Sequence, residues 1–502
     1  MKINKFFAFA ITILMTLKPL PSCADETHEF TPHKSYSLGG YPLSLKEAIR
    51  LALQNNFDIE MAKITRKINV YDITAEEAIY DTTLTAEINY EVDKAEASTG
   101  GRQRQNAANW DIGVEKKFSW GSLLSFDFLN NRTSTTPSTV AATPAYSSDA
   151  SVSLTQPLLY NSLGIIDRST VKLVKLDVSK LDLDLLDSIE ATIADVQKTY
   201  WDLVYAQGNL EVKKEALRIA KDFLTITKKQ CDDGALEETD LFAAQANVGK
   251  RENELLEAHS DISDISDNLK LAMNFFADVD FLPTDKSLLN SISLEKNTNL
   301  LLALENRRDF KKEKLTIESQ DITIAMKKNS RLPQLDVVGT FTANGLAREM
   351  LNALGESSGL DDPTYYVGLE FSVPFENRKA RSEFKQAELE KAKAIWNLKK
   401  IEKEIFIDIS KSLRALNLHK QQASHNEKIE TYQEKKLKGE EKKYGFGRSS
   451  SDVIIRYQDD VLNARIALIK SLAYYEKALV DLKRNQNIIL NEVDWKTYEE
   501  IR

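Results

Sequence analysis

Five histidines and two cysteines, with scattered carboxylates, are the side chains of this 502-residue chain suited to nucleophilic, acid–base or metal work. His28, His33, His259, His419 and His425 stand far apart, with no cysteine or carboxylate cluster at ligand spacing, so no metal site is expected. Neither a glycine-rich phosphate loop nor a nucleophile elbow occurs. No catalytic residue and no cofactor is assigned, and the chain does not read as an enzyme. Two carboxylates draw notice by position instead: Asp240 follows the turn signal Gly234, and Asp452 follows Gly447. A glycine permits each reversal, and the acid sits near the start of the returning helix, where the dipole favours negative charge. Ser449 to Ser451 offer caps for the second of these helices.

The elements that hold these turns are announced by proline. None occurs between Pro157 and Pro283, and none after Pro374, leaving two blocks of about 125 residues rich in Lys, Glu, Leu and Ala. Proline inside a helix costs roughly 3 kcal/mol, so such blocks suit very long helices. Each follows a short alternating stretch ending in proline, Ser151 to Pro157 and Leu369 to Pro374. Ala52-Leu53-Gln54-Asn55-Asn56-Phe57-Asp58 matches Ala303-Leu304-Glu305-Asn306-Arg307-Arg308-Asp309, about 251 positions on. By the two prolines the offset is about 217, so the first copy carries some 34 extra residues in its strand region. The extra segment, around Phe118-Ser119-Trp120-Gly121, reads as an additional hairpin. Internal duplication sets the architecture.

Lys2 and Lys5 precede an apolar run from Phe6 to Leu17, then Pro19, Pro21 and small residues, the order of a secretory signal. Cleavage after Ser22-Cys23-Ala24 suits ordinary signal peptidase. Alternatively Leu20-Pro21-Ser22-Cys23 is a degenerate lipobox, with Cys23 acylated. Cys231 is the other cysteine, so packing or oligomerisation must supply stability. The net charge of −9 argues against nucleic acid as a partner. No run beyond residue 17 approaches the roughly 18 apolar residues of a membrane helix, so any span must be made of strands.

Leu84, Ala86, Ile88, Tyr90 and Val92 alternate with Thr85, Glu87, Asn89, Glu91 and Asp93. Trp110, Ile112 and Val114, then Leu124, Phe126 and Phe128, then Ala150, Val152 and Leu154 repeat the device. In the second copy Leu335, Val337, Gly339 and Phe341 face one way, as do Tyr365, Val367, Leu369, Phe371 and Val373. One face is apolar and the other wet, which fits either a membrane barrel or a half-buried soluble sheet. Long polar connections, Asp93 to Asn109, Asn131 to Ser148 and Ala343 to Pro363, favour the barrel. Six strands with open edges in lipid leave backbone groups unpaired, so closure requires several copies.

On the returning helices Leu241, Val248, Leu255, Ile262 and Leu269 repeat every seventh residue, partnered by Ala244, Arg251, Ala258, Ile265 and Ala272. Ile454, Val461, Leu468, Tyr475 and Leu482 do likewise, partnered by Tyr457, Ala464, Ser471 and Ala478. These are coiled-coil hairpins whose small seam residues allow close approach.

The paired A-L-x-N-x-x-D motifs, Leu332-Pro333-Gln334-Leu335, Gln156-Pro157-Leu158, Val373-Pro374-Phe375 and the Gly…Asp turns together resemble the TolC family of outer-membrane efflux proteins, over roughly residues 41–486. The expected fold is mostly α with a β-barrel portion. It comprises a signal peptide at 1–24, a first repeat at 41–283 (strands about 82–157, helical hairpin 165–278), a second at 295–486 (strands about 335–374, hairpin 376–486) and a tail at 487–502. The resemblance implies a homotrimer: an outer-membrane β-barrel in lipid, continuous with a long periplasmic α-helical barrel. It further implies a passive exit duct docking on a periplasmic adaptor and an inner-membrane pump, for efflux of small molecules or secretion of polypeptides. Asp452 then matches a periplasmic gate and selectivity position, where three carboxylates attract cations and repel one another; Ile455 occupies the next expected acidic position. Gly234, Asp240, Gly447 and Arg448 form the hairpin-tip and adaptor-docking surface. A soluble periplasmic coiled-coil scaffold or adaptor, which needs no membrane-grade strands, is the alternative.

Overall fold

The computed structural model describes residues 41–492 except 95–103, 137–144, 235, 276–278, 288, 290–294, 361 and 447. The signal segment with Cys23, the two N-terminal histidines and Gly447 lie outside the described residues.

After β1 (Tyr41–Leu43), helix α1 (Leu45–Asn55) begins at Ser44, whose hydroxyl accepts the Glu47 N–H at 3.2 Å. The duplicated A-L-x-N-x-x-D motif is a joint between two helices. Asn56 ends α1 and opens α2 (Phe57–Glu77), its extended backbone breaking the helix while its side chain accepts the Asp58 and Ile59 N–H groups at 2.9 and 3.1 Å. Its amide donates to the Ala272 carbonyl at 2.7 Å, fixing the angle of the joint.

Four antiparallel strands follow: β2 (Thr82–Asp93), β3 (Arg104–Lys117), β4 (Leu123–Thr136) and β5 (Ala145–Pro157). The chain then runs into α3 (Ile165–Asp232), 68 residues and about 100 Å long at 1.5 Å per residue, and returns as α4 (Glu238–Met273). Strand β6 (Phe281–Pro283) pairs in parallel with β1, tying the start of the described chain to the end of the first hairpin. The second copy repeats the plan: α5 (Lys296–Asn306), α6 (Arg308–Asn329), β7 (Gln334–Ala343), β8 (Leu346–Ala347), α7 (Met350–Gly359), β9 (Pro363–Ser372), α8 (Arg378–Gly445, also 68 residues) and α9 (Ser451–Asn485). At its motif Arg307 takes the place of Asn56 and reaches Asp309 at 2.5 Å and Asp408 at 3.3 Å, so an ion-pair joint replaces an amide one.

The strand order is β2-β3-β4-β5-β7-β9, with β8 beside β5. The extra residues of the first copy are therefore the β3–β4 hairpin, inserted within the sheet. Two expectations about connections change. Residues 104–109, 131–136 and 145–148, read as loop from their polarity, are strand, because Asn109 donates to Asn89 at 2.7 Å and Asn131 to Asn109, and these cross-strand amide bonds hold polar sequence in the ladder. Between β7 and β9 the connection contains α7 and β8.

The core lies along the helices. The heptad positions Ala244, Arg251, Ala258, Ile262 and Leu269 are buried, as are Ile454, Val461, Ala464, Ser471, Tyr475, Ala478 and Leu482. The main cluster joins Ile189, Ile193, Tyr200 and Leu203 of α3 to Ala48, Ala52 and Leu53 of α1. There Tyr200 donates to the Leu43 carbonyl at 3.0 Å and to Asp285 at 2.7 Å; burial, then the Asp285 carboxylate, push its hydroxyl above the ordinary phenol range. Asp285 also accepts the Leu45 N–H at 2.7 Å. The first residues of the expected tail fold back in a short helix α10 (Ile489–Glu492), and Ile489 and Leu490 enter this cluster.

One buried charge joins the copies. Glu190 of α3 is inaccessible; its carboxylate meets the Arg308 guanidinium of α6 and accepts the Ile489 N–H at 2.8 Å and the Asn487 amide at 3.3 Å. Burial is the largest influence and raises its pKa, with Arg308 opposing. Arg308→Ala should cost about 3–5 kcal/mol, since it strands that carboxylate. Glu190→Gln should cost less than Glu190→Ala, because an amide keeps hydrogen bonds at the site. A raised acid makes the folded state hold more protons than the unfolded one, so this site weakens the fold as pH climbs from the ordinary carboxylate range through the raised value. Glu190→Gln should flatten that part of the pH profile in denaturant unfolding; an unchanged slope would count against it.

Candidate functional site

The six long strands carry 10 to 14 residues each. About nine to eleven tilted residues cross a bilayer. Their register aligns one apolar row across the whole sheet: Leu84, Val114, Phe126, Val152, Phe341 and Tyr365. Phe341 and Tyr365 meet at 5.3 Å between ring centroids. A neighbouring row reads Ala86, Ile112, Phe128, Ala150, Ala343 and Pro363. This face is uncovered within the chain: Ile88 is 81% and Val367 84% exposed, with Leu84, Leu369 and Phe371 similar. An apolar surface of this extent requires a nonaqueous partner.

The opposite rows are Thr83, Glu115, Ser125, Ser153, Thr340 and Tyr366, then Thr85, Gly113, Asp127, Ser151, Thr342 and Thr364. Ser153 and Thr340 share a 2.9 Å hydrogen bond. Every acidic residue of the six strands falls on this side: Glu87, Glu91 and Asp93 on β2, Asp111 and Glu115 on β3, Asp127, Asp149, Asp336 and Glu370 on the rest. Among the strand cations only Lys117 shares it, and Lys117 is held by Asp167 at 2.8 Å. The others, Arg104, Lys116 and Arg132, are on the apolar side toward the strand ends, where Arg132 lies over the Tyr146 ring at 5.7 Å. The wet face is thus acidic. Alternation revealed it in the sequence; the alignment of its acids across strands needs the register.

About 100 Å of helix away, the two hairpin tips pack together. Phe223 of α3, Ala244 of α4, Tyr444 of α8 and Ile454 of α9 form one cluster, with Phe223 and Tyr444 at 5.5 Å between centroids. Gly234 turns at φ +73°, a conformation that needs glycine, although an added Cβ would meet open space. Asp240 is in the first turn of α4, half-exposed, its N–H bonded to the Glu237 carbonyl at 3.1 Å. Arg448 donates its N–H to the Lys443 carbonyl at 2.9 Å, and its exposed guanidinium makes no ion pair among the described residues. Asp452 is in the first turn of α9 with an exposed side chain.

The serine caps behave differently from expectation. Ser450 occupies the N-cap without a side-chain bond, because its neighbours are drawn inward: Ser449 donates to Glu440 at 2.8 Å and Ser451 meets the Tyr444 hydroxyl at 3.0 Å. Lys443, then Ser449, keep the Glu440 carboxyl below the usual range. Ile455 packs against the tip cluster, which explains why no acid stands there. The nearest acids beyond it are committed: Asp459 to Lys250 at 3.0 Å and to Arg251, Asp460 to Lys436 at 2.7 Å. Asp452 stays outward-facing at the start of α9. Tyr444, Glu440 and Phe223 escaped sequence reasoning, since their partners lie across turns and between hairpins.

Among the described residues no helix is long and apolar enough to cross a membrane, and no cluster of metal-ligating side chains occurs. Comparison with curated protein sequences finds no match. Solved structures of similar fold include the CmeC outer membrane channel of Campylobacter jejuni (18% identity, 88% of this chain and 85% of that one, TM-score 0.66) and the open state of the MtrE outer membrane channel of Neisseria gonorrhoeae (14%, 91% and 93%, 0.63). The outer membrane protein VceC of Vibrio cholerae is similar too (12%, 88% and 95%, 0.64). The family model described as outer membrane efflux protein matches residues 48–274 and 300–485, most of both repeats. With a sheet bare to lipid on one side and acidic on the other, set on two long helical hairpins, the chain belongs to the outer membrane efflux protein family and is an outer membrane efflux channel.

Proposed function

We propose that this channel is the passive exit duct of a tripartite efflux or type I secretion assembly, formed by three copies of the chain. The observation that carries this reading is the sheet's division into an uncovered apolar face and an acidic face. A soluble scaffold gains nothing from baring Ile88 and Val367, whereas a barrel seats the one face in lipid and the other around water. The long helices α3 and α8 carry the conduit across the periplasm. The tips, with Gly234, Asp240, Gly447 and Arg448, are the docking surface for a periplasmic adaptor that couples the duct to an inner-membrane pump. The outward Arg448 guanidinium supports this role, making no ion pair among the described residues. Energy comes from that pump, and its cargo decides whether small molecules or polypeptides pass.

Asp452 of each copy faces the periplasmic mouth and favours cations there. Its exposure and the internal pairing of Asp459 and Asp460 support the assignment.

Purified in detergent, the chain should migrate as a heat-modifiable trimer and insert into lipid vesicles; a monomer that stays outside vesicles would refute the duct. Val367→Arg should destabilise the inserted protein by about 2–4 kcal/mol if the residue sits at the bilayer midplane. Thr340→Arg, on the wet face, should leave insertion intact, and equal damage from both would refute the face assignment. In planar bilayers Asp452→Ala should lower cation preference and weaken block by multivalent cations severalfold. Unchanged selectivity and block would remove Asp452 from the gate.

A further inference from the structure

The sheet runs through six long strands in unbroken antiparallel order, with β2 and β9 as its two free edges. We infer that the β3–β4 hairpin is part of the membrane wall, so that each copy contributes six strands and β9 of one copy pairs with β2 of the next to close an eighteen-stranded barrel. This rests on the three-copy duct proposed above.

The hairpin cannot be a flap laid over the mouth of a narrower barrel, because it separates β2 from β5 in the ladder. Strand β3 pairs with β2 from Gln105 to Lys116, β4 pairs with β5 from Leu123 to Thr133, and β5 pairs directly with β7. Removing β3 and β4 from the wall would break two full ladders. Both strands also carry the two-faced pattern of the others, with Val114 and Phe126 in the apolar row and Glu115 and Ser125 in the polar one.

The turn of the hairpin is built into the junction where the sheet meets the helices. Gly121, at φ +87°, packs backbone to backbone on Gly164, at φ +64°, in the β5–α3 connection; a Cβ on Gly121 would stand 2.7 Å from the Gly164 nitrogen, and one on Gly164 would stand 2.4 Å from the Ser119 carbonyl oxygen. Neither position admits a side chain. Beside it Lys117 pairs with Asp167 of α3 at 2.8 Å. Phe118 and Trp120 stack at 4.5 Å, and Trp120 is half exposed at this end of the strands, where membrane barrels place an aromatic girdle.

The occupant of the free edges follows from strand count and direction. Six is even, so β2 and β9 run in opposite senses and join antiparallel. One copy closing on itself would make a six-stranded barrel, smaller than the eight-stranded kind whose interior side chains already fill, with no room for water among these carboxylates. A second copy on each edge satisfies every open N–H and C=O, the condition for strands in lipid. Eighteen strands about 4.8 Å apart and tilted about 40° enclose a ring of roughly 35 Å backbone diameter. The barrel is then the wide end of the duct, and restriction by size falls to the helical tips.

Electron cryomicroscopy of the full chain in lipid nanodiscs counts the wall directly. A trimer with eighteen strands and β3–β4 between β2 and β5 is expected. A trimer whose wall has twelve strands, with the hairpin elsewhere, overturns the inference and leaves the duct standing; particles that are not trimeric overturn both. A second measurement needs no map. In a Cys231→Ser background inserted in vesicles, Ser125→Cys should react with a membrane-impermeant maleimide at least tenfold faster than Phe126→Cys. Similar rates at the two positions would place β4 outside the wall.

Discussion

Backbone amides and carbonyls in hydrocarbon must be paired, and this constraint governs the molecule from its strands outward. It accounts for the continuous ladder from β2 to β9, for the absence of any gap where the second repeat joins the first through β5 and β7, and for strands that extend into asparagine- and threonine-rich sequence. A single copy exposes apolar side chains on one face and leaves the outer edges of β2 and β9 without a strand partner, the deficit that the proposed three-copy barrel would remove.

Given that wall, the helices have a defined task. They begin within a few residues of the strand ends and run about 100 Å without proline. A helix of 68 residues cannot be supported by one partner of 36, so each long helix is flanked along its length by two from its own repeat, α4 and α2 for α3, α9 and α6 for α8, and α3 packs on α9 and α6 of the other repeat as well. The duplicated motif exists because each shorter column is broken into segments that must stop and restart. Asn56 does this by capping, Arg307 by pairing with Asp309 and Asp408. Glu190 and Arg308 then bind the first column to the second, at a level far from both lipid and tip.

What the sequence disclosed follows from which forces are periodic. Alternation exposed the strands and their faces, heptads exposed the seams, missing prolines exposed the long helices, and self-comparison exposed the repeat. Interactions without a period stayed hidden. Parallel pairing of Tyr41–Leu43 with Phe281–Pro283 joins segments about 240 residues apart, and Glu190 finds Arg308 and Asn487 only after folding. Polarity misled at the strand ends, because asparagines that usually mark turns here bond one another across strands. At the second tip three serines suggested a cap, yet Glu440 and Tyr444 claimed two of them. For the candidate site, the position of Asp452 after a glycine turn was legible in the sequence, whereas the pairing of Asp459 and Asp460 with Lys250, Arg251 and Lys436 was not.

Charge completes the argument. Acids line the wet side of the strands, while the strand cations stand on the other face or are spent on Asp167; the role proposed for Asp452 would put negative charge at the far end as well. Carboxylates along a water-filled wall are favourable because each stays hydrated; the same groups on the other face would each cost several kcal/mol in lipid. The sidedness of the acids is therefore a second, independent mark of which face is wet. It agrees with the apolar rows strand by strand, including on the β3–β4 hairpin, where Asp111, Glu115 and Asp127 keep to the same side as Glu87 and Glu370. A hairpin outside the wall would meet water on both faces and would have no reason to hold its charges to one of them.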